Sequence, residues 1–286
     1  MNHKGAPLDS ARIAFLGPGV MAEAIASGLL SRAGLQPEQL TMSGPRPERL
    51  EELRARYGIH IASDNRSAAA EADVVVLAVK PQSLASVLEG IRGAVSARAL
   101  AISIVAGARL TQLRQGTGHA AWARSMPNTP GQIGAGITVW TATPETAPDQ
   151  RETARSILEA LGQEVYVEDE NYLDMATALS GTGPAYVYLF MEAMVDAGVH
   201  LGFPRRLAEQ LVVQTVKGSV AFYEHSPSHL ARLRNQVTSP GGTSAAALYY
   251  LEKAGFRTAL SRAIWAAYER SSQLGSGRKR GQVGES

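Results

Sequence analysis

The stretch that most constrains this chain is Arg12 to Leu30, RIAFLGPGVMAEAIASGLL. Ile13 to Leu16 is an apolar run of strand length, Gly17-Pro18-Gly19 follows, and from Val20 onward Ala, Ile, Leu and Glu read as a helix. In such a turn the first glycine lets the chain bend sharply, and the second leaves the backbone bare for a pyrophosphate. The helix amides and dipole then face the negative charge. The third small position of the pattern is Ala22. Glycine pairs also follow strands as ordinary turns, so the weight of this one depends on what comes after it.

What comes after it is alternation. Leu40 to Ser43 reads as a second strand and Pro47 to Tyr57 as a helix opened by proline. Ile59-His60-Ile61 is a short third strand, and Asp73 to Val79 (DVVVLAV) is a β-branched run typical of a parallel strand buried on both faces. Leu100 to Val105 (LAISIV) repeats that pattern, Ala121 to Arg124 and Ile137 to Trp140 are further short strands, Pro144 to Leu161 is helical and Glu164 to Val167 is a last edge strand. The first half therefore predicts an α/β, Rossmann-type doubly wound sheet.

Where a binder of NAD would carry an acidic residue for the ribose hydroxyl, this chain has Ser43-Gly44-Pro45-Arg46, with Arg49 one turn on. That suits a 2′-phosphate and hence NADP; the plainer alternative makes both arginines solvated helix residues. Lys80 is expected at the carboxyl end of its strand, on the ligand side of the sheet.

Near Glu168 the texture changes to helical periods broken by Gly and Pro. Pro184 to Leu201 carries Val187, Phe190, Met191, Met194, Val195 and Val199 close to helical spacing, with Tyr188, Leu189 and Ala193 on other faces. A helix apolar nearly all round needs cover on every side, which predicts a homodimer built by this half, unless the helix is buried within one subunit. Pro204 to Tyr223, His229 to Asn235, Ser244 to Lys253 and Phe256 to Leu274 are further helices, with Gly202 and Gly255 as stops. The expected division is a flexible segment over 1–10, a Rossmann domain over 11–168, an all-α domain over 169–274 and a disordered tail over 275–286.

Composition narrows the function. A net charge of +2 gives no field that argues for nucleic acid, and the basic run Arg278-Lys279-Arg280 reads as a solvated end. No cysteine is present, which excludes thiolate nucleophiles and Cys-ligated zinc and fits a cytoplasmic enzyme. His225 and His229 are separated by Pro227, so no metal site is expected, and no apolar run reaches the ~20 residues that span a bilayer.

Three loops concentrate small polar groups: Ser125 to Thr129, Ser180 to Pro184, and Thr238 to Ser244. In the last, two glycines precede two hydroxyl residues at a helix start, which suits a small carboxylate; alternatively Thr243 is only an N-cap. Glu192 and Asp196, one turn apart on the apolar helix, form a carboxylate pair or else a polar stripe or interface contact, and Lys217 reads as a helix-surface charge.

In order, AVKPQ (Ala78–Gln82), SIVAG (Ser103–Gly107), RSMPNTP (Arg124–Pro130), TALSGTGPAY (Thr177–Tyr186), EAMVDAGVHLG (Glu192–Gly202), QTVKGS (Gln214–Ser219) and SPGGTS (Ser239–Ser244) resemble pyrroline-5-carboxylate reductase, from about Arg12 to Leu274. The resemblance implies a Rossmann domain followed by a helical domain that interlocks with its twin, as a homodimer or a higher homo-oligomer such as a pentamer of dimers. It implies hydride transfer from NADPH, with NADH as an alternative, to the C=N bond of 1-pyrroline-5-carboxylate, giving L-proline.

Carried over position by position, it implies that Gly17, Gly19, Val20 and Met21 hold the pyrophosphate and that Ser43 and Arg46 lie near the adenosine ribose. Asn65, Ala78 and Lys80 fall on the cofactor side, and Ala106 and Gly107 approach the nicotinamide. Ser239, Gly241, Gly242 and Thr243 would meet the substrate carboxylate, and Ser244, where the family usually has Thr, would donate to the ring nitrogen. Pro18, Val20 and Thr182 are further departures. A 3-hydroxyacid dehydrogenase-like enzyme using Lys217 as acid/base, and a dinucleotide-binding regulator without turnover, are the competing readings.

Overall fold

The structure, a computed structural model, describes residues 8–226 and 228–275. The first seven residues of the expected flexible segment, the expected tail from 276 with its basic run, and Pro227 all lie outside the described residues. Leu8 is buried, and Gly275, expected in the tail, ends the last helix.

Eight strands form one sheet in the order β3-β2-β1-β4-β5-β6-β7-β8. They are β1 (Ile13–Leu16), β2 (Leu40–Ser43), β3 (His60–Ile61), β4 (Val74–Leu77), β5 (Leu100–Ser103), β6 (Trp122–Met126), β7 (Gly136–Ala142) and β8 (Gly162–Tyr166). Strand β1 pairs in parallel with both β2 and β4. The chain thus reverses direction across the sheet at β1, and the carboxyl ends there form the crevice where doubly wound sheets take ligands. Between them run α1 (Val20–Arg32), α2 (Pro47–Tyr57), α3 (Asn65–Ala70), α4 (Leu84–Gly90), α5 (Leu110–Thr117) and α6 (Pro148–Glu159).

Alternate residues of β1 enter opposite faces of the sheet. Ile13 and Phe15 pack with Ile25 and Leu29 of α1, Leu53 of α2 and Leu158 of α6, whereas Ala14 and Leu16 pack with Leu84 and Leu88 of α4 and Leu113 of α5. Each such Phe or Leu taken fully out of water stabilises the fold by about 1.5–3 kcal/mol.

The sheet departs from simple alternation at β7, which runs antiparallel to β6 with Ser125 opposite Trp140. Between Met126 and Gly136 the chain is too short to carry a helical crossover, so it turns back. The short helices α3, α4 and α5 are absent from the periodicity of the sequence, because six to eight residues hold only about two turns. Helix α6 begins at Pro148 rather than Pro144, since a turn in which Thr146 N–H donates to Thr143 O precedes it.

Beyond β8 come α7 (Tyr172–Ala176), α8 (Gly183–His200), α9 (Arg205–His225), α10 (Leu230–Gln236), α11 (Thr243–Lys253) and α12 (Phe256–Gly275). The chain divides into two compact units, one of residues 1–182 with 267–286 and one of residues 183–266. The second has a small core of its own, Val195 of α8 with Ala208 and Val212 of α9, flanked by Met191, Met194 and Val216. Its cover is incomplete: Tyr188 and Leu189 of α8 are 60% and 66% exposed, so α8 is not a helix buried within one subunit.

Candidate active site

The glycine turn is built by close approach. Gly17 has φ +106°, and a Cβ there would lie 2.6 Å from Ala78 O, so neither the conformation nor the space admits another residue. Gly17 N–H donates to Ser43 O at 2.9 Å and Ala78 N–H to Leu16 O at 2.9 Å, which presses the turn onto the ends of β2 and β4. Gly19 is the N-cap of α1, and no side chain caps that helix. A Cβ on Gly19 would meet nothing closer than Ala78 O at 3.7 Å, leaving an open side over the first amides of α1. Val20 there is exposed, Met21 half-buried and Ala22 fully buried. Gly17, Gly19, Val20, Met21 and Ala78 are thus brought together around a bare, uncapped helix start that fits a pyrophosphate.

The second strand delivers Ser43, fully buried, whose Oγ donates to Asn65 Oδ1 at 2.7 Å at the start of α3. A Cβ on Gly44 would collide with the Pro18 ring, so this loop rests on the glycine turn. Arg46 is exposed at the N-cap of α2. Arg49 is not the solvated residue of the plainer reading: it is paired with Glu23 of α1 and, at 2.7 Å, with Glu52. Burial alone would raise the Glu23 carboxyl, but hydrogen bonds from Tyr57 and Arg49 and the charges of Arg49 and Arg56 outweigh it and hold the group below the ordinary carboxylate value.

Lys80 stands three residues past the end of β4, exposed, at the head of a short turn of helix over Pro81–Ser83. Ala106 and Gly107 follow β5; Gly107 has φ +75°, and its missing Cβ would lie 2.9 Å from Leu274 Cβ of α12.

One set of residues near this loop was not found by the sequence reading. Arg124 of β6 and Asp174 of α7, 2% and 1% exposed, pair at 2.9 Å. Arg109 joins Asp174 at 2.8 Å, Ser271 of α12 donates to it at 2.9 Å, and Glu170 takes both Arg124 (2.9 Å) and the Leu110 N–H (2.8 Å). The carboxylate thereby ties β6, α7 and α12 to the segment that follows Gly107. An arginine directly after the apolar run Ala121-Trp122-Ala123 was the available signal, since a buried cation requires a partner, but nothing in the spacing names Asp174.

In the second unit, Ser239 and Gly241 are exposed and Gly241 has φ +72°. Gly242 N–H donates to Ser239 O at 3.0 Å, closing the turn. Gly242, not Thr243, is the N-cap of α11, and no side chain caps it. Thr243 and Ser244 form the first turn, the former exposed and the latter half-buried. Glu192 and Asp196 are exposed rather than buried, with Asp196 paired to Arg205 at 2.9 Å, and Lys217 is exposed on α9. The residues expected on the cofactor thus lie in the first unit, and Ser239 to Ser244 in the second.

A family model described as pyrroline-5-carboxylate reductase dimerisation matches residues 170–274, and one described as NADP oxidoreductase coenzyme F420-dependent matches residues 12–107. A pyrroline-5-carboxylate reductase of Synechocystis is 42% identical, over 93% of this chain and 99% of its own length. The chain belongs to the pyrroline-5-carboxylate reductase family. The Escherichia coli member is 35% identical over 92% of this chain and 98% of its own. Among solved structures, the family member from Coxiella burnetii superposes with a TM-score of 0.84 at 36% identity, and the one from Plasmodium falciparum, with NADP bound, with 0.86 at 34%; each comparison covers 93% of this chain and 99% of the other. Family membership makes this chain an NAD(P)H-dependent oxidoreductase with a helical dimerisation domain, so the fold class, enzyme class and cofactor class read from the sequence hold.

Proposed function

We propose that this chain reduces 1-pyrroline-5-carboxylate to L-proline with NADPH, the last step of proline biosynthesis. The observation that carries the reading is the uncapped start of α11 at SPGGTS, in a chain whose other unit carries a second uncapped helix start at the glycine turn. The first suits a small carboxylate and the second a pyrophosphate. NADPH supplies a hydride to the ring carbon of the C=N bond, and a proton completes the amine at nitrogen.

The chain's own residues position and charge-match these groups. The amides of Val20 and Met21, exposed because Gly17 and Gly19 carry no side chains, hold the pyrophosphate. Arg46 meets the 2′-phosphate, while Ser43 and Asn65, already bonded to each other, fix the ribose wall. Lys80 lies on the cofactor side, and Ala106 and Gly107 border the nicotinamide. The hydroxyls of Ser239 and Thr243 and the backbone of Gly241 and Gly242 bind the carboxylate, and Ser244 donates to the ring nitrogen. A cyclic imine can be protonated near neutral pH, so no strong acid is required and positioning does most of the work.

The functional division falls at residue 168, with the Rossmann domain over 11–168 and the helical domain over 169–274, supported by the dimerisation match from residue 170. The enzyme works as a homodimer or as a higher assembly such as a pentamer of dimers, in the cytoplasm, without nucleic-acid or membrane partners. The net charge of +2 is consistent with this, and among the described residues no helix is long and apolar enough to cross a membrane.

The test is NADPH oxidation by purified protein with DL-1-pyrroline-5-carboxylate, repeated with Ser244→Ala. Turnover is expected, with a fall of about 10²-fold in kcat in the variant if the hydroxyl supplies the donor. Turnover that the variant leaves unchanged removes Ser244 from the mechanism, and no turnover at all removes the reaction.

A further inference from the structure

Two cations stand beside the ribose loop, and the fold treats them differently. Arg46 is an exposed N-cap that no carboxylate engages among the described residues. Arg49 is held on three sides: by Glu23 Oε2 through one terminal nitrogen, by Glu52 Oε2 at 2.7 Å through the other, and by Pro18 O at 3.4 Å from Nε. Glu23 is itself shielded and also accepts from Arg56 Nη1 at 2.7 Å and Tyr57 OH at 2.9 Å. An arginine in the first turn of a helix lies at the wrong end of the dipole. Two carboxylates offset that, and Arg49, Arg56, Glu23 and Glu52 together carry no net charge. Glu23 belongs to the helix that opens at the glycine turn, so this one carboxylate joins the pyrophosphate turn to the helix behind the ribose loop.

We propose that Glu23 is a specificity-determining residue: it holds Arg49 against the glycine turn, withholds it from the cofactor's 2′-phosphate and leaves that group to Arg46 alone. The inference rests on the placement of the adenosine ribose at the Ser43–Arg46 loop. Preference for the phosphorylated cofactor is then set by one cation instead of two, and NADH remains an acceptable donor. Glu23→Gln keeps the shape and an acceptor but removes one charge, so the cluster of Arg49, Arg56 and Glu52, with Glu52 still on Arg49, carries a net charge of +1 beside the phosphate.

Isothermal titration calorimetry on the full chain, with 2′,5′-ADP and 5′-AMP as probes, tests this without turnover. In Arg46→Met the preference for 2′,5′-ADP collapses. In Glu23→Gln it rises by about fivefold, more at low ionic strength, with 5′-AMP unchanged. The double variant Glu23→Gln/Arg49→Met returns to the original preference, and Arg49→Met alone stays within about threefold of it, since a neutralised charge is removed. A flat Glu23→Gln, equal weakening of both probes in it, or an Arg49→Met that loses preference as Arg46→Met does, overturns the inference. An unchanged preference in Arg46→Met overturns instead the placement of the ribose. Arg49→Met also serves if Glu23→Gln does not fold.

Discussion

At Gly17 the backbone conformation and the neighbouring carbonyl make one demand between them. With φ at +106° and Ala78 O 2.6 Å from any added Cβ, Gly17→Ala is expected to cost about 1–3 kcal/mol in urea unfolding and to weaken NADPH binding in a fluorescence titration. A Gly19→Ala variant, with no atom nearer than 3.7 Å, should fold normally and lose affinity only, because its methyl group occupies the open side of the turn. The buried Arg124–Asp174 pair sets a larger scale. Removing one partner leaves a desolvated charge, so Arg124→Met should destabilise by about 3–5 kcal/mol, while Ser271→Ala, which removes one bond to Asp174, should cost about 1–3 kcal/mol. Denaturant midpoints separate the two. The turn at Gly17 was legible in the sequence because its demand is local. Asp174 was not, since its three partners lie on segments that only the tertiary fold brings together.

Elements were legible in proportion to how much of their environment is written in their own residues. Val74 to Leu77, three valines and a leucine, is buried on both faces, and α2 opens at Pro47 and closes at Gly58 with φ +73°, so both are found within the runs where the sequence places them. The direction of β7 depends on what its neighbour offers, and no pattern within it records that. The segment between α5 and β6 carries a pH dependence. Burial pushes the imidazole of His119 below its ordinary value of 6.5, against the raising effect of hydrogen bonds to the Ala99 and Ala121 backbone. The unfolded chain therefore takes up the proton first. Stability should be full above pH 6.5, fall as the pH drops from there toward the lower folded value, and then level off. The lowered Glu23 carboxyl adds a second loss below its ordinary value of 4.5. Urea midpoints measured across that range should show both steps, and His119→Gln should abolish the upper one alone.

At the scale of the whole molecule, the second unit is too small and too exposed in its apolar residues to stand as it is. Val195, Ala208 and Val212 are its buried hydrophobic residues among those described, while Tyr188, Leu189 and Phe222 face outward. A dimerisation domain covers such residues with a second copy, each fully buried Leu contributing about 1.5–3 kcal/mol to association. Leu189→Glu is therefore expected to shift sedimentation toward smaller species and to lower the temperature of thermal unfolding. The need for a partner was legible in α8 from its nearly all-round apolar pattern; how many copies gather was not, because nothing in a helix counts beyond its first neighbour.

The last turn of α12 belongs to the unit in which the chain began, with Ser271 on Asp174 and Leu274 against Gly107. A ribosome delivers these residues after every strand of the sheet. Until it does, a buried carboxylate lacks one of its donors and the loop after β5 lacks its cover, so the nucleotide-binding unit emerges early but is finished late. A nascent chain that has made its whole sheet still waits on one turn of helix.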